Sequence, residues 1–275
     1  MASKLGILAG GGDLPRQIIA QCQSENRPFF VLGFEGQANP ADYQDVPFRA
    51  VRLGAAGRSM EILRSENISE IVMAGHIRRP SLAALRPDKV TMKFFLKTGA
   101  KSLGDDGLLT AVIRYLEEEE GFRIVGASSL LPNVTLPLGP LGRHGVDDDA
   151  HADIVRGLEV LTIIGPADVG QGVVVQDGIV LGVEAIEGTD ALIERCAALS
   201  RKGKGAVLVK MRKPGQETRV DLPTIGPGTI RNLSKNGFRG IAIDAGGMII
   251  LDREETLSLA DKLGVFIQAV APLET

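Results

Sequence analysis

The sequence predicts an α/β protein in two parts. A Rossmann-like parallel-sheet domain is expected over residues 1–131, then a linker at 132–149 and an α+β domain with a mixed sheet over 150–275. Three observations predict this. Short apolar runs alternate with helical periodicity through the first half, as in a parallel sheet with crossover helices. A stretch with Pro132, Pro137, Pro140 and the acidic run Asp147–Asp149 breaks that rhythm. Beyond it a hairpin signal introduces mixed strand directions.

Leu5–Ala9 is a short apolar strand that runs into Gly10, Gly11 and Gly12, and a helical pattern through Ile18, Ile19 and Cys22 follows. Phe29–Leu32 and the neighbourhood of Val51 read as strands, a helix covers Arg58–Ser65, and Ile71–Ala74 is the next strand. The turn Gly104-Asp105-Asp106-Gly107 opens a helix over Leu108–Glu120, and Phe122–Gly126 ends this half as a strand. The acidic run at 147–149 marks a helix N-terminus, where carboxylates meet the positive end of the dipole. Val173–Gln176 and Ile179–Val183 flank Asp177-Gly178, a pair suited to a type I′ turn. A helix near Asp190–Ser200, strands at Ala206–Lys210, Ile241–Ile243 and Met248–Leu251, a helix over Glu254–Leu263 and a strand at Val265–Val270 complete the chain.

Composition narrows the class. Glycine, at 34 of 275 residues, shows no collagen period, and the 44% hydrophobic content excludes a disordered chain. A formal net charge of −3 and a pI near 5.7 argue against a dedicated nucleic-acid binder. Cys22 and Cys196 are isolated, so structural zinc is not expected and two reduced core thiols are. The N-terminus enters a strand-like run at once, which predicts no signal peptide, and no apolar run approaches the ~18 residues of a spanning helix.

Several motifs could carry chemistry. The loop Gly10-Gly11-Gly12-Asp13, between a strand and a helix, can offer backbone N–H groups to a phosphate, or can be a structural turn. Pro15 replaces the third glycine of a dinucleotide fingerprint, which weakens a nicotinamide reading. His76, Arg78 and Arg79 follow a strand end, where ligands of parallel sheets bind; the arginines suit phosphate oxygens or are solvated charges, and His76 alone is more often structural. Asp105 and Asp106, before Gly107, form a helix cap or a hard-oxygen site. The second half carries a denser set: Asp168 and Gln171 before the hairpin, Glu184, Glu187, Gly188 and Thr189 after it, then Lys210, Lys213, Asp221 and Thr224. Singly each acid reads as a turn or surface residue; together with the lysines they suggest a metal and phosphate site. Asp221, outside any charge run, is the expected essential carboxylate. No nucleophile elbow, H-E-x-x-H or Walker A lysine motif occurs, so metal-assisted attack of water on phosphorus fits the inventory best.

The runs Leu8–Pro15, Gly104–Leu109, Asp168–Gln171, Val183–Asp190, Lys213–Gln216 and Asp221–Gly226 together resemble the LpxI-type UDP-2,3-diacylglucosamine hydrolases, from Leu5 to about Phe266. The resemblance implies a Mg²⁺-dependent enzyme of lipid A synthesis in Gram-negative bacteria. Such an enzyme cleaves UDP-2,3-diacylglucosamine to UMP and 2,3-diacylglucosamine 1-phosphate (lipid X), with two domains enclosing the substrate. It also implies a cytoplasmic protein in peripheral contact with the inner membrane; a homodimer stays open. On this reading Asp221, Lys210 and Lys213 act in catalysis, and Asp221, Glu184, Glu187 and Asp168 are the metal candidates. Gly10, Gly11, Gly12, Asp13, His76, Arg78, Arg79, Asp105, Asp106, Gly107, Gln171, Gly188, Thr189 and Thr224 are the substrate candidates. Met92, Phe94, Phe95 and Leu96 could line an acyl-chain cavity or be ordinary core. The rival classes are a Rossmann-type oxidoreductase or transferase and a non-catalytic nucleotide- or lipid-binding module.

Overall fold

A computed structural model describes residues 3–78, 80–99, 105–131, 136–213, 219–220 and 222–273, with the backbone alone for Leu82, Asp105 and Asp106. The chain forms two compact units. Of the described residues, the first holds those up to Leu131 together with Arg219 and Val220, and the second holds 136–213 and 222–273.

In the first unit β1 (Leu5–Ala9), α1 (Leu14–Ser24), β2 (Phe29–Phe34), β3 (Phe48–Val51), α2 (Ala56–Ser65) and β4 (Glu70–Ala74) follow in order. Then come α3 (Leu82–Leu85), α4 (Lys89–Thr98), α5 (Asp105–Arg114), β5 (Arg123–Ile124) and α6 (Ala127–Leu130). The sheet order is β3-β2-β1-β4-β5 and every pairing is parallel, as the sequence grammar requires. β1, and β4 beyond its first residue Glu70, are central and apolar on both faces, which is why they lack the alternation of a half-exposed strand. The expected strand at 122–126 pairs over Arg123–Ile124, and the expected helix 108–120 begins at Asp105 and ends in a π-helical turn at Tyr115–Glu119.

The helices α3 and α4 had no counterpart in the sequence reading. They are fastened to the turn after β3. Asp88 caps α4 by accepting from Thr91 N at 2.8 Å and also accepts from Gly57 N at 2.8 Å; Thr91 Oγ1 donates to Gly54 O at 2.8 Å. Burial pushes the Asp88 carboxyl up, but these N–H donors outweigh it and hold it below the usual carboxylate range. On α4 Phe94 is buried against Phe95 and Tyr115, whereas Met92 and Leu96 face outward.

The second unit contains β6 (Gly139–Pro140), α7 (Asp148–Ile164), β7 (Gly172–Gln176), β8 (Ile179–Val183), α8 (Thr189–Ala197) and β9 (Val207–Lys210). It continues with β10 (Thr224–Ile225), α9 (Pro227–Lys235), β11 (Gly240–Asp244), β12 (Ile249–Ile250), α10 (Arg253–Leu263) and β13 (Phe266–Val270). Its main sheet runs β6-β13-β11-β9-β7-β8, with β13, β11 and β9 parallel and the outer strands antiparallel, so it is mixed. One core packs α7 against Val173, Val175, Val207 and Val209; the other packs α8, α9 and α10 against Val174, Leu208, Ile241 and Ile243. That alternation along each strand assigns every side chain a face.

Much of the stretch expected as linker is integral to this unit. Leu136 is buried in the α8–α10 core, β6 pairs with β13, and Asp147 caps α7 by accepting from Ala150 N at 2.9 Å. Proline and glycine broke the periodicity here because β6 is only an edge pair.

Candidate active site

The second sheet gathers its charged side chains where β9 and β11 end and β7 begins. Leu208 lies on the face covered by α8, and alternation puts Lys210 on that face too. Gly172 stands opposite Lys210 in the β7–β9 register. Glu184 follows β8, where its N–H still bonds Gly172 O at 2.8 Å, and its carboxylate lies on the α8 side, against Thr189. Thr189 opens α8, with Gly188 as the cap.

These three elements bring a lysine, a hydroxyl and a carboxylate into line. Lys210 Nζ donates to Thr189 Oγ1 at 2.6 Å, and Thr189 Oγ1 donates to Glu184 Oε1 at 2.8 Å. Lys210 is 5% exposed and Glu184 is 6% exposed. Charges this deep persist only when compensated. Glycine makes room for the arrangement: a Cβ on Gly172 would sit 2.6 Å from Glu184 Oε2, and one on Gly170 would fall on the Glu184 carbonyl oxygen.

The other predicted residues sort into pairs. Lys213 forms an ion pair with Asp168, which lies in the left-handed region at φ 54°. Glu187 is taken by Arg195, whose Nε and Nη2 donate at 3.0 and 2.8 Å, while Ala185 N donates to its other oxygen at 3.1 Å. Burial alone would push the Glu187 carboxyl up; N–H groups of its own loop and Arg195 outweigh this and hold it low. Gln171 accepts from Met211 N at 2.9 Å through its backbone. Thr224 donates its hydroxyl to Leu222 O at 3.1 Å. Asp221, Arg79 and the side chains of Asp105 and Asp106 lie outside the described residues.

The sequence reading missed Asp244. It ends β11, is 1% exposed, accepts from Gly246 N at 3.0 Å, and has Oδ2 3.1 Å from Arg212 Nε without hydrogen-bond alignment. An acid at the end of an apolar strand, followed by Gly246-Gly247, was the signal available. Two more buried oxygens, Glu184 Oε2 and Gln171 Oε1, have no hydrogen-bond partner among the described residues. Among the described residues no three His, Cys, Asp or Glu side chains gather as a metal site. The unpartnered oxygens are nonetheless the hard donors that Mg²⁺ takes.

In the first unit the loops after β1 and β4 are tied together. Gly11 and His76 exchange backbone hydrogen bonds at 2.9 and 3.0 Å, and Gly10 N donates to Ala74 O at 2.8 Å. A Cβ on Gly11 would lie 2.7 Å from the His76 ring, so this glycine serves the close approach of the two loops. The bridge spans β1 and β4, the position where a Rossmann-type strand order reverses. Arg78 is held by Gln37, which accepts from Arg78 N at 2.9 Å and donates to Arg78 O at 3.1 Å, while Asp13 pairs with Arg16. Gly107 lies in the first turn of α5.

Fold and site together define a two-unit α/β protein whose mixed sheet carries a buried lysine–hydroxyl–carboxylate row at its strand ends. Residues 4–134 match the LpxI N-terminal domain and residues 137–268 match the LpxI C-terminal domain. The chain is 41% identical over 98% of its length to a protein of Caulobacter vibrioides, itself 99% covered, named UDP-2,3-diacylglucosamine pyrophosphatase LpxI. A solved structure of CobK precorrin-6A reductase aligns over 99% of this chain and 90% of its own, but at 13% identity and a TM-score of 0.30 the likeness is too slight to bear on fold or function. The chain belongs to the LpxI family.

Proposed function

We propose that this protein hydrolyses the pyrophosphate bond of UDP-2,3-diacylglucosamine, releasing UMP and 2,3-diacylglucosamine 1-phosphate, with Mg²⁺ as cofactor. The observation that carries the reading is the buried Lys210–Thr189–Glu184 row, in a chain so similar to a protein of that name. Phosphoryl transfer asks a protein mainly for positioning and for positive charge around the phosphoryl oxygens. Lys210 supplies that charge from a fixed strand end, and Lys213, tethered to Asp168, supplies a second. Asp221 orients the attacking water. Glu184 and Asp221 would hold the Mg²⁺, which when bound polarises a phosphoryl oxygen as a Lewis acid.

Purified protein incubated with UDP-2,3-diacylglucosamine is expected to release UMP and the sugar phosphate in equal amounts, followed by ³¹P NMR. Excess EDTA is expected to abolish release and added Mg²⁺ to restore it. Asp221→Ala should keep its circular dichroism and thermal transition yet lose at least about 10²-fold in kcat. No UMP from the wild type sinks the activity; full rate in EDTA sinks the metal; a normal rate for Asp221→Ala sinks that residue's role.

A further inference from the structure

Lysine carries its charge on a long flexible stem with four rotatable bonds, and a carboxylate buried beside it is the natural place for that charge to collapse. Here the collapse is prevented. Thr189 Oγ1 stands between Lys210 Nζ and Glu184 Oε1, at 2.6 and 2.8 Å. An ammonium only donates and an ionised carboxylate only accepts, so the hydroxyl proton must point at Glu184 and its lone pair at Lys210. The hydroxyl therefore aims the ammonium while keeping the countercharge one hydrogen bond further away.

Every member of the row is fixed by a different element. Lys210 is set by the β7–β9 register, Glu184 by its backbone bond to Gly172, and Thr189 by the first turn of α8. Nothing in this arrangement asks Thr189 to meet a ligand, since its hydroxyl donates to one neighbour and accepts from the other.

We propose that Thr189 is a positioning residue: anchored on Glu184, it holds the Lys210 ammonium in the direction in which it meets the phosphoryl oxygens, and it does so without touching the substrate. This rests on the reading above that Lys210 acts on the pyrophosphate. It assigns Thr189 a role other than the substrate contact expected from the sequence. Removing the hydroxyl frees the ammonium to pair directly with Glu184, which withdraws its charge from the reacting group.

The test compares wild type, Thr189→Val, Thr189→Ser, Lys210→Met and the double variant Thr189→Val/Lys210→Met in steady-state hydrolysis of UDP-2,3-diacylglucosamine. Thr189→Val is expected to lose about 10²-fold in kcat, the order that misplacement of an aligned group costs. Its KM should move less than about threefold, since ground-state binding is left alone. Thr189→Ser should recover most of the rate, and the double variant should be no slower than Lys210→Met, because the two residues act as one unit. If Thr189→Val does not fold, as judged by circular dichroism, Thr189→Ala carries the same comparison.

A wild-type rate for Thr189→Val beside a slow Lys210→Met overturns the proposal alone. So does a further loss in the double variant as large as the loss in the single one, because Thr189 would then act independently of Lys210. So does a folded Thr189→Ser as slow as the valine variant. A wild-type rate for Lys210→Met overturns the underlying reading of the lysine, and the proposal with it.

Discussion

Glu184 and Glu187 lie on one short loop, yet they answer to different forces. Glu184 is buried and tied through Thr189 to Lys210; Glu187 is partly exposed and paired with Arg195. Truncating the first removes a buried carboxylate and breaks the row that links it through Thr189 to Lys210, whereas truncating the second removes only an exposed ion pair. Glu184→Ala is therefore expected to destabilise the protein by about 3 kcal/mol, the scale for breaking a buried pair. Glu187→Ala should cost under about 1 kcal/mol, as exposed pairs do. Urea denaturation at neutral pH separates the two, and equal losses would show that Glu184 is not anchored as described. Both glutamates were metal candidates in the sequence because side-chain type and spacing alone do not distinguish them. What distinguishes them is which helix residue each one meets: Thr189 at the start of α8, or Arg195 one face along it.

At the scale of elements, capping and turn chemistry were local enough to read. Asp177 and Gly178 take φ of 53° and 75°, as the expected type I′ turn requires. What the local signal did not contain is the clamp on that turn: Asp153 of α7, 2% exposed, accepts from Gly178 N at 2.7 Å. The start of α7 was legible from its acids, and the structure adds that Asp147 also meets Lys204 at 2.9 Å and Arg239. Hydrogen bonds from Arg239, Ala150 N and Lys204 hold the Asp147 carboxyl far below its ordinary value of 3.8. A depressed folded-state value means that the stabilisation is complete above the unfolded value and is lost as pH falls toward the folded one. Asp147→Asn keeps a capping side chain and removes the charge. It should melt below wild type at pH 7, and the gap should close as pH drops below about 4. A gap unchanged at pH 3 would overturn the charge argument. The helices α3 and α4 escaped the sequence reading because Asp88 and Thr91 fasten them to the turn at Gly54 and Gly57, whereas α9 opens on local signals that it passed over, Pro227 in its first turn and the Thr229 hydroxyl accepting from Gly226 N.

On the scale of the whole molecule, the chain builds two units and crosses between them more than once. Arg219 and Val220 belong with the first, where Arg219 pairs with Glu117 at 2.8 Å and Val220 packs on its core. No helix among the described residues is long and apolar enough to cross a membrane. A diacylated substrate resides in a bilayer, so the proposed activity calls for a peripheral contact. The protein is expected to sediment with vesicles of anionic phospholipid and to be released by alkaline carbonate; failure to sediment at any salt concentration would remove the membrane from the reading.

By itself the sequence determined the five strands of the first unit with helices α1, α2 and α5, the mixed sheet of the second and the family, because period, turn residues and motif spacing are properties of neighbours along the chain. Only the tertiary structure decided that the glycines at 10 and 11 serve His76, that Glu187 belongs to Arg195, and that Asp244 closes β11 as a buried acid. It also decided the partners of Lys210. Thr189 and Glu184 are far from that lysine in sequence and meet it through the register of β9, β7 and β8, and a register is set by the packing of both faces of the sheet at once.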